Sequence, residues 1–183
     1  MTEDAPARRR RLGAALGALA TAAAAALVSP GAAHAEQIPR YTLYFELRNA
    51  ATGKCLEVAD WRKDDGAPVR QWTCHGGANQ LWTANSNGQL LNAGSSSCLD
   101  VPGSSTVLGT QLVIWGCHFR PSADNQLWSV PHVNRPSPDY VGSAFGVLDV
   151  YGFDPSDGAP VVTWGPNGGA NQIWTGLETR VNF

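Results

Sequence analysis

Beyond its first 35 residues this 183-residue chain has no long apolar run, no run of like charge and no amphipathic stretch longer than a turn or two. The first absence leaves nothing there to span a membrane, and the second gives no basic footprint for nucleic acid. The third argues against a helical core. Histidine is scarce, and His75, His118 and His132 follow no metal-ligand spacing. The glycines build no phosphate loop, and no Gly-x-Ser-x-Gly elbow accompanies the serines. No metal, no cofactor and no catalytic residue is therefore expected.

The N-terminus stands apart from the rest. Arg8, Arg9, Arg10 and Arg11 precede an alanine-rich apolar run over residues 12–28, and SPGAAHA follows with Ala33 and Ala35 in the small-residue positions of a signal-peptidase site. Residues 1–35 are expected to be an export signal, so that a secreted protein begins at Glu36 and residues 36–183 form one domain. The run is short and weakly apolar for a membrane anchor. RRLGAAL fits twin-arginine export poorly, because no bulky pair follows the arginines at the expected place. Without the leader, nine Lys+Arg face thirteen Asp+Glu, and the charge pattern names no partner. A monomer is expected.

What is present is a repeat. GGANQLW (76–82) returns as GGANQIW (168–174), with a looser copy, ADNQLW, at 123–128. The closing tryptophans, Trp82, Trp128 and Trp174, stand 46 residues apart at each step, a period that marks a repeat architecture. Upstream of each lies an inner tryptophan: Trp72, Trp115 and Trp164. Further upstream lies an aliphatic-acid-Val unit carrying Glu57, Asp100 or Asp149. Six of the seven tryptophans belong to this pattern, so chance is a poor explanation. The repeats run over about 44–85, 88–130 and 140–177.

The four cysteines of an exported chain read as disulfides. Cys55 and Cys74 are 19 residues apart, as are Cys98 and Cys117, and each pair brackets the acid unit and the inner Trp in the same way. In the third repeat the matching positions, Val147 and Pro166, have lost both cysteines together. Pairing is therefore expected within repeats, each bridge contributing on the order of 3 kcal/mol in the chain-entropy picture.

Short β-branched runs (APVRQW, TQLVIW, APVVTW) and the alternation in RYTLYFELRN predict strands, with Gly, Ser, Asn, Asp and Pro in the turns between them. GGANQ predicts a single helical turn, and residues 131–140 a loop between repeats. Three units too small to bury their own faces must share one core. An all-β, closed barrel with threefold pseudosymmetry follows, filled by Trp82, Trp128 and Trp174.

The pattern Cys-aliphatic-acid-Val, Gly-x-x-Val-x-x-Trp-x-Cys and Asn-Gln-x-Trp resembles the ricin-type lectin repeat, and it covers roughly residues 44–174 in three copies. The resemblance implies a β-trefoil that binds galactose or related sugars, like carbohydrate-binding modules of glycoside hydrolases. It implies that Glu57, Asp100 and Asp149 accept hydrogen bonds from sugar hydroxyls, and that Trp72, Trp115 and Trp164 stack on the sugar face. Asn79, Asn125 and Asn171 then bond a further hydroxyl, while Gln80, Gln126 and Gln172 position the acid and the loop. The chemistry is coherent: an indole is a rigid apolar platform, and a carboxylate accepts from vicinal hydroxyls.

The sequence departs from that family where Gln often stands two residues before the inner Trp. Arg70, Val113 and Val162 are there instead, and Gln71 is a candidate substitute in repeat one. Trp61 and Tyr151 either line pockets or cover a hydrophobic edge. Repeat three, with Asp149, Trp164 and Asn171, ranks first as a binding site. Repeat one ranks second because Glu57 adds a methylene. Repeat two ranks last because HFRPSAD lengthens its loop. Glycans or polysaccharides are the expected partners. Two other function classes compete: a glycosidase, disfavoured by acids that occur one per repeat, and a protein-binding or inhibitor trefoil that has lost its sugar.

Overall fold

The computed structural model describes residues 43–119, 124–130 and 139–180. The expected export signal, part of HFRPSAD and most of the expected loop at 131–140 lie outside the described residues. What is described is strands joined by turns: β1 (Leu43–Asn49), β2 (Cys55–Val58), β3 (Ala67–Trp72), β4 (Trp82–Ala84), β5 (Leu90–Asn92), β6 (Cys98–Asp100), β7 (Val113–Trp115), β8 (Asp139–Tyr140), β9 (Gly142–Ser143), β10 (Gly146–Val150), β11 (Val161–Trp164) and β12 (Ile173–Arg180). Each Asn-Gln pair sits in a one-turn 3-10 helix, as the GGANQ stretches predict.

β1 pairs antiparallel with β12 from Leu43↔Arg180 to Asn49↔Trp174, so the first and last described strands close on each other. Each repeat also contributes a hairpin, β2–β3, β6–β7 or β10–β11, and the three share one register: Cys55↔Trp72, Cys98↔Trp115, Val147↔Trp164. The hairpins converge through equivalent residues. The Val69 amide donates to the Leu112 carbonyl at 2.9 Å, and the Leu112 amide donates to the Val161 carbonyl at 3.0 Å. Gln111 stands where the other repeats have Pro68 and Pro160, and its side-chain amide donates to the carbonyls of Val69 (2.6 Å) and Val161 (3.1 Å). Buried carbonyls need such partners. This is the threefold arrangement of a β-trefoil.

Trp82 and Trp174 are fully buried and Trp128 nearly so, among Phe45, Leu47, Leu90 and the hairpin valines. An indole in a core must still place its N–H. Each donates it to the carbonyl just before the acid: Trp82 to Leu56 (3.0 Å), Trp128 to Leu99 (2.9 Å) and Trp174 to Leu148 (3.2 Å). The closing tryptophan therefore fills the core and fixes the strand that carries the acid. The disulfides are Cys55–Cys74 and Cys98–Cys117, each with its Cα atoms 5.1 Å apart at the open end of a hairpin.

Candidate functional site

Each acid is the last or last-but-one residue of a strand and is followed by a tight turn with two successive left-handed residues. These are Asp60 and Trp61 (φ 54° and 57°), Gly103 and Ser104 (62° and 54°), and Gly152 and Phe153 (66° and 56°). Such angles cost little at glycine and about 1–3 kcal/mol at a bulky residue. The turn is held by the repeat's Asn, whose amide donates to the carbonyl after the acid: Asn79 to Val58, Asn125 to Val101 and Asn171 to Val150, all at 3.1 Å. The kinked turn lifts Trp61, Ser104 and Phe153 toward the loop that carries Asn-Gln. There Gly77 and Gly169 are required: a Cβ on Gly169 would lie 2.9 Å from Phe153 Cζ, and one on Gly77 would run into the Trp61 ring.

The Gln residues each bond the acid of their own repeat. Gln172 donates to Asp149 Oδ2 (2.8 Å) and to the Gly165 carbonyl (2.9 Å), and its Oε1 accepts from the Asn167 amide. Gln126 and Gln80 repeat this, bonding Asp100 and Glu57 at 2.8 Å. All three are fully buried. Burial of Asp100 and Asp149 pushes their carboxyl pKa values up, and the amide hydrogen bonds only partly offset it.

The inner tryptophans are backed by the neighbouring repeat. A Cβ on Gly66 would be 3.8 Å from Trp115, one on Gly109 3.3 Å from Trp164, and one on Gly158 3.7 Å from Trp72. These three glycines occupy equivalent turn positions with φ of 83–90°. Two clasps reinforce the contacts: the Gly116 amide donates to Asp65 and the Thr73 amide to Asp157, both at 2.7 Å. Repeat two has Leu108 where the others have the clasping acid.

The three sites differ. Site three is a hollow of about 300 Å³ lined by Asp149, Tyr151, Gly152, Phe153, Trp164, Asn167 and Asn171. Tyr151 and Trp164 form a tilted corner, ring centroids 6.3 Å apart. Site two is a hollow of about 390 Å³ lined by Asp100, Pro102, Gly103, Ser104, Trp115, His118 and Asn125. In repeat one, Glu57 Oε1 accepts from Arg70 Nε (3.1 Å) and Nη2 (3.0 Å), and Oε2 meets His75 Nε2 (3.1 Å) as well as Gln80. His75 in turn stacks on Trp61.

Acid, inner Trp, Asn and Gln thus come together in every repeat. Gln71 does not join them. It is fully buried on the opposite face of β3, where it accepts from Thr52 and donates to the carbonyls of Asp154 and Ser156, a link to repeat three. The period of two along a strand puts neighbours on opposite faces, so a residue one step from Arg70 cannot replace it. Tyr151 lines a pocket, while Trp61 packs on His75. Phe153, Ser104 and Asn167 have no role in the sequence reading, and His118 enters it only as a histidine without metal-ligand spacing, although Phe153 and Ser104 share a register position with Trp61. Glu46, Cys55 and Cys74 cluster as metal ligands would, but both sulfurs are committed to the disulfide.

Residues 43–174 match the family described as the ricin-type beta-trefoil lectin domain. A ribosome-inactivating protein of Polygonatum multiflorum, PMRIPt, is 30% identical over 78 residues, which are 43% of this chain and 12% of that protein. The match therefore spans about an eighth of that relative's length. Among solved structures, the designed threefold-symmetric protein ThreeFoil is 30% identical with a TM-score of 0.66, covering 73% of this chain and 96% of ThreeFoil. The ricin B-like lectin of Macrolepiota procera, solved in complex with lactose, is 25% identical with a TM-score of 0.60 and covers 73% and 94%. The repeat, the fold and these matches agree: the chain belongs to the ricin-type β-trefoil lectin domain family.

Proposed function

We propose that this chain is an exported, non-catalytic lectin that binds galactose-type sugars or polysaccharides built from them. The observation that carries the reading is the pair of open hollows in repeats two and three, each holding one carboxylate beside a partly exposed indole. The described bonds to Asp149 and Asp100 fall on Oδ2, which leaves Oδ1 to accept from vicinal sugar hydroxyls. Trp164 and Trp115 then carry the apolar face of the ring. Asn171 and Asn125 spend their amide nitrogens on the turn, and their part in binding is to hold the acid and line the floor. The lactose complex of the Macrolepiota lectin supports the sugar class.

A single carboxylate per hollow suits binding. Glycoside hydrolysis ordinarily needs two on either side of the scissile bond. The two disulfides suit an oxidising compartment, in keeping with secretion. Shallow single sites bind weakly, so firm attachment needs both sites on one branched or polymeric glycan. A glycan array probed with the chain over 36–183 tests the reading. Retention on terminal-galactose or galactan features is expected. Silence across the array would favour the protein-binding alternative, and release of free sugar would favour a glycosidase.

A further inference from the structure

The cross-strand register that places Val113 opposite Asp100 and Val162 opposite Asp149 places Arg70 opposite Glu57. A valine leaves the space between acid and indole open. Arg70 fills it. Its guanidinium carbon lies 4.2 Å from the centroid of the Trp72 ring, while Nε and Nη2 both bond Glu57 Oε1 and Nη2 also reaches Asp60 at 3.0 Å. A flat group that covers the indole face and donates to the acid makes the two contacts a sugar would make. The other carboxylate oxygen is taken by His75 and Gln80, and the Glu57 side chain is only 3% exposed.

We infer that Arg70 occupies the sugar position of repeat one, so that the chain carries two working sites and a third closed by its own side chain. Arg70 is then the residue that decides the valency of the lectin. The charge balance agrees. Sites two and three present a carboxylate with amide partners, whereas Glu57 is already paired with a cation whose other partner is the exposed Asp60. Displacing Arg70 would cost both its ion pair and its stacking, which a weakly bound neutral sugar does not replace.

The sugar arm of the test rests on the lectin reading; a second arm does not. In the full chain labelled at its indole nitrogens, lactose titration is followed by NMR. Trp115 and Trp164 are expected to shift saturably while Trp72 stays still. In Arg70→Val, which copies repeats two and three, Trp72 is expected to join them, raising the number of sites from two to three. Arg70→Gln, which keeps a donor for Glu57, guards against a folding defect, and the buried indoles of Trp82, Trp128 and Trp174 report whether each variant is native. A wild-type Trp72 that responds like Trp115 overturns the inference, as does a native Arg70→Val whose Trp72 stays silent while Trp164 responds. Lactose silence at all indoles counts against the galactose reading, and the second arm then decides. Oxidation by N-bromosuccinimide, mapped by peptide mass, is expected to spare Trp72 relative to the 41%-exposed Trp115 in the wild type and to reach it in Arg70→Val. Equal wild-type reactivity, or protection that persists without Arg70, overturns the assignment whatever the sugar.

Discussion

Replacing Trp174 and Trp164 by alanine, one at a time, separates core from platform in two residues of identical chemistry. Trp174 is fully buried, and its indole N–H is bonded 3.2 Å from the Leu148 carbonyl. Its removal leaves a cavity and an unpaired acceptor, which together cost about 3–5 kcal/mol. For a domain near 150 residues each kcal/mol is about 2–4 °C, so the thermal midpoint should fall by roughly 6–20 °C. Trp164 is only half-buried, leaning on the Gly109 turn and tilted against Tyr151. Losing those contacts should cost about 1 kcal/mol, or a few degrees. Its effect on sugar should be larger: stacking worth on the order of 1–2 kcal/mol is roughly a tenfold loss of affinity per site, enough to abolish retention of a weak binder. Calorimetry and retention on immobilised lactose measure both quantities. If Trp164→Ala unfolds as early as Trp174→Ala, the division between core and platform is wrong. If it binds like the wild type, site three is misassigned.

Acidification should weaken binding sooner than ordinary carboxylates would suggest, because burial raises the pKa of Asp100 and Asp149 and the ligand needs them ionised. The same shift acts oppositely on stability. A carboxyl whose folded pKa lies above its unfolded value favours the folded state below the unfolded pKa, and that contribution is lost as pH rises through the folded one. Asp149→Asn should therefore abolish binding at site three with no fall in thermal midpoint at neutral pH; a large fall would refute the view that the acid is kept for function. Non-reducing peptide mapping should recover Cys55–Cys74 and Cys98–Cys117, and Cys98→Ser with Cys117→Ser should cost about 3 kcal/mol in denaturant unfolding. A cross-repeat link would break the repeat alignment. N-terminal sequencing of secreted protein should read from Glu36, and arginines still present there would rule out the expected cleavage.

The parts of this molecule that were legible in the sequence are those that recur at fixed spacing. The closing tryptophans could be assigned to the core, and the cysteines to within-repeat bridges, because three copies reveal which positions change together. The differences between copies were harder to read. Arg70 stood out as a departure from its family, but its consequence depends on which residue faces it across the hairpin and where its side chain turns. The left-handed turn that presents Phe153 was hidden for a different reason. Aromatics are rare at positive φ, and at this turn position the other copies carry Trp61 and Ser104, so no single residue type advertises it. Site two ranked last on the length of its loop, yet it forms the wider hollow, with His118 and Ser104 at its wall.

The support that each inner tryptophan takes from the preceding repeat's glycine turn, with repeat three preceding repeat one around the ring, has a bearing on how such a protein can change. None of the three inner indoles rests only on the repeat that encodes it. A peptide comprising one repeat would carry the acid and the indole but not the surface the indole rests on, so a site cannot be moved elsewhere as a single cassette. Conversely, a substitution in the turn of one repeat edits the pocket of another. Leu108, standing in repeat two without the clasping carboxylate, alters the footing of Trp164 in repeat three. The three similar units close into a ring in which each candidate site draws on two of them.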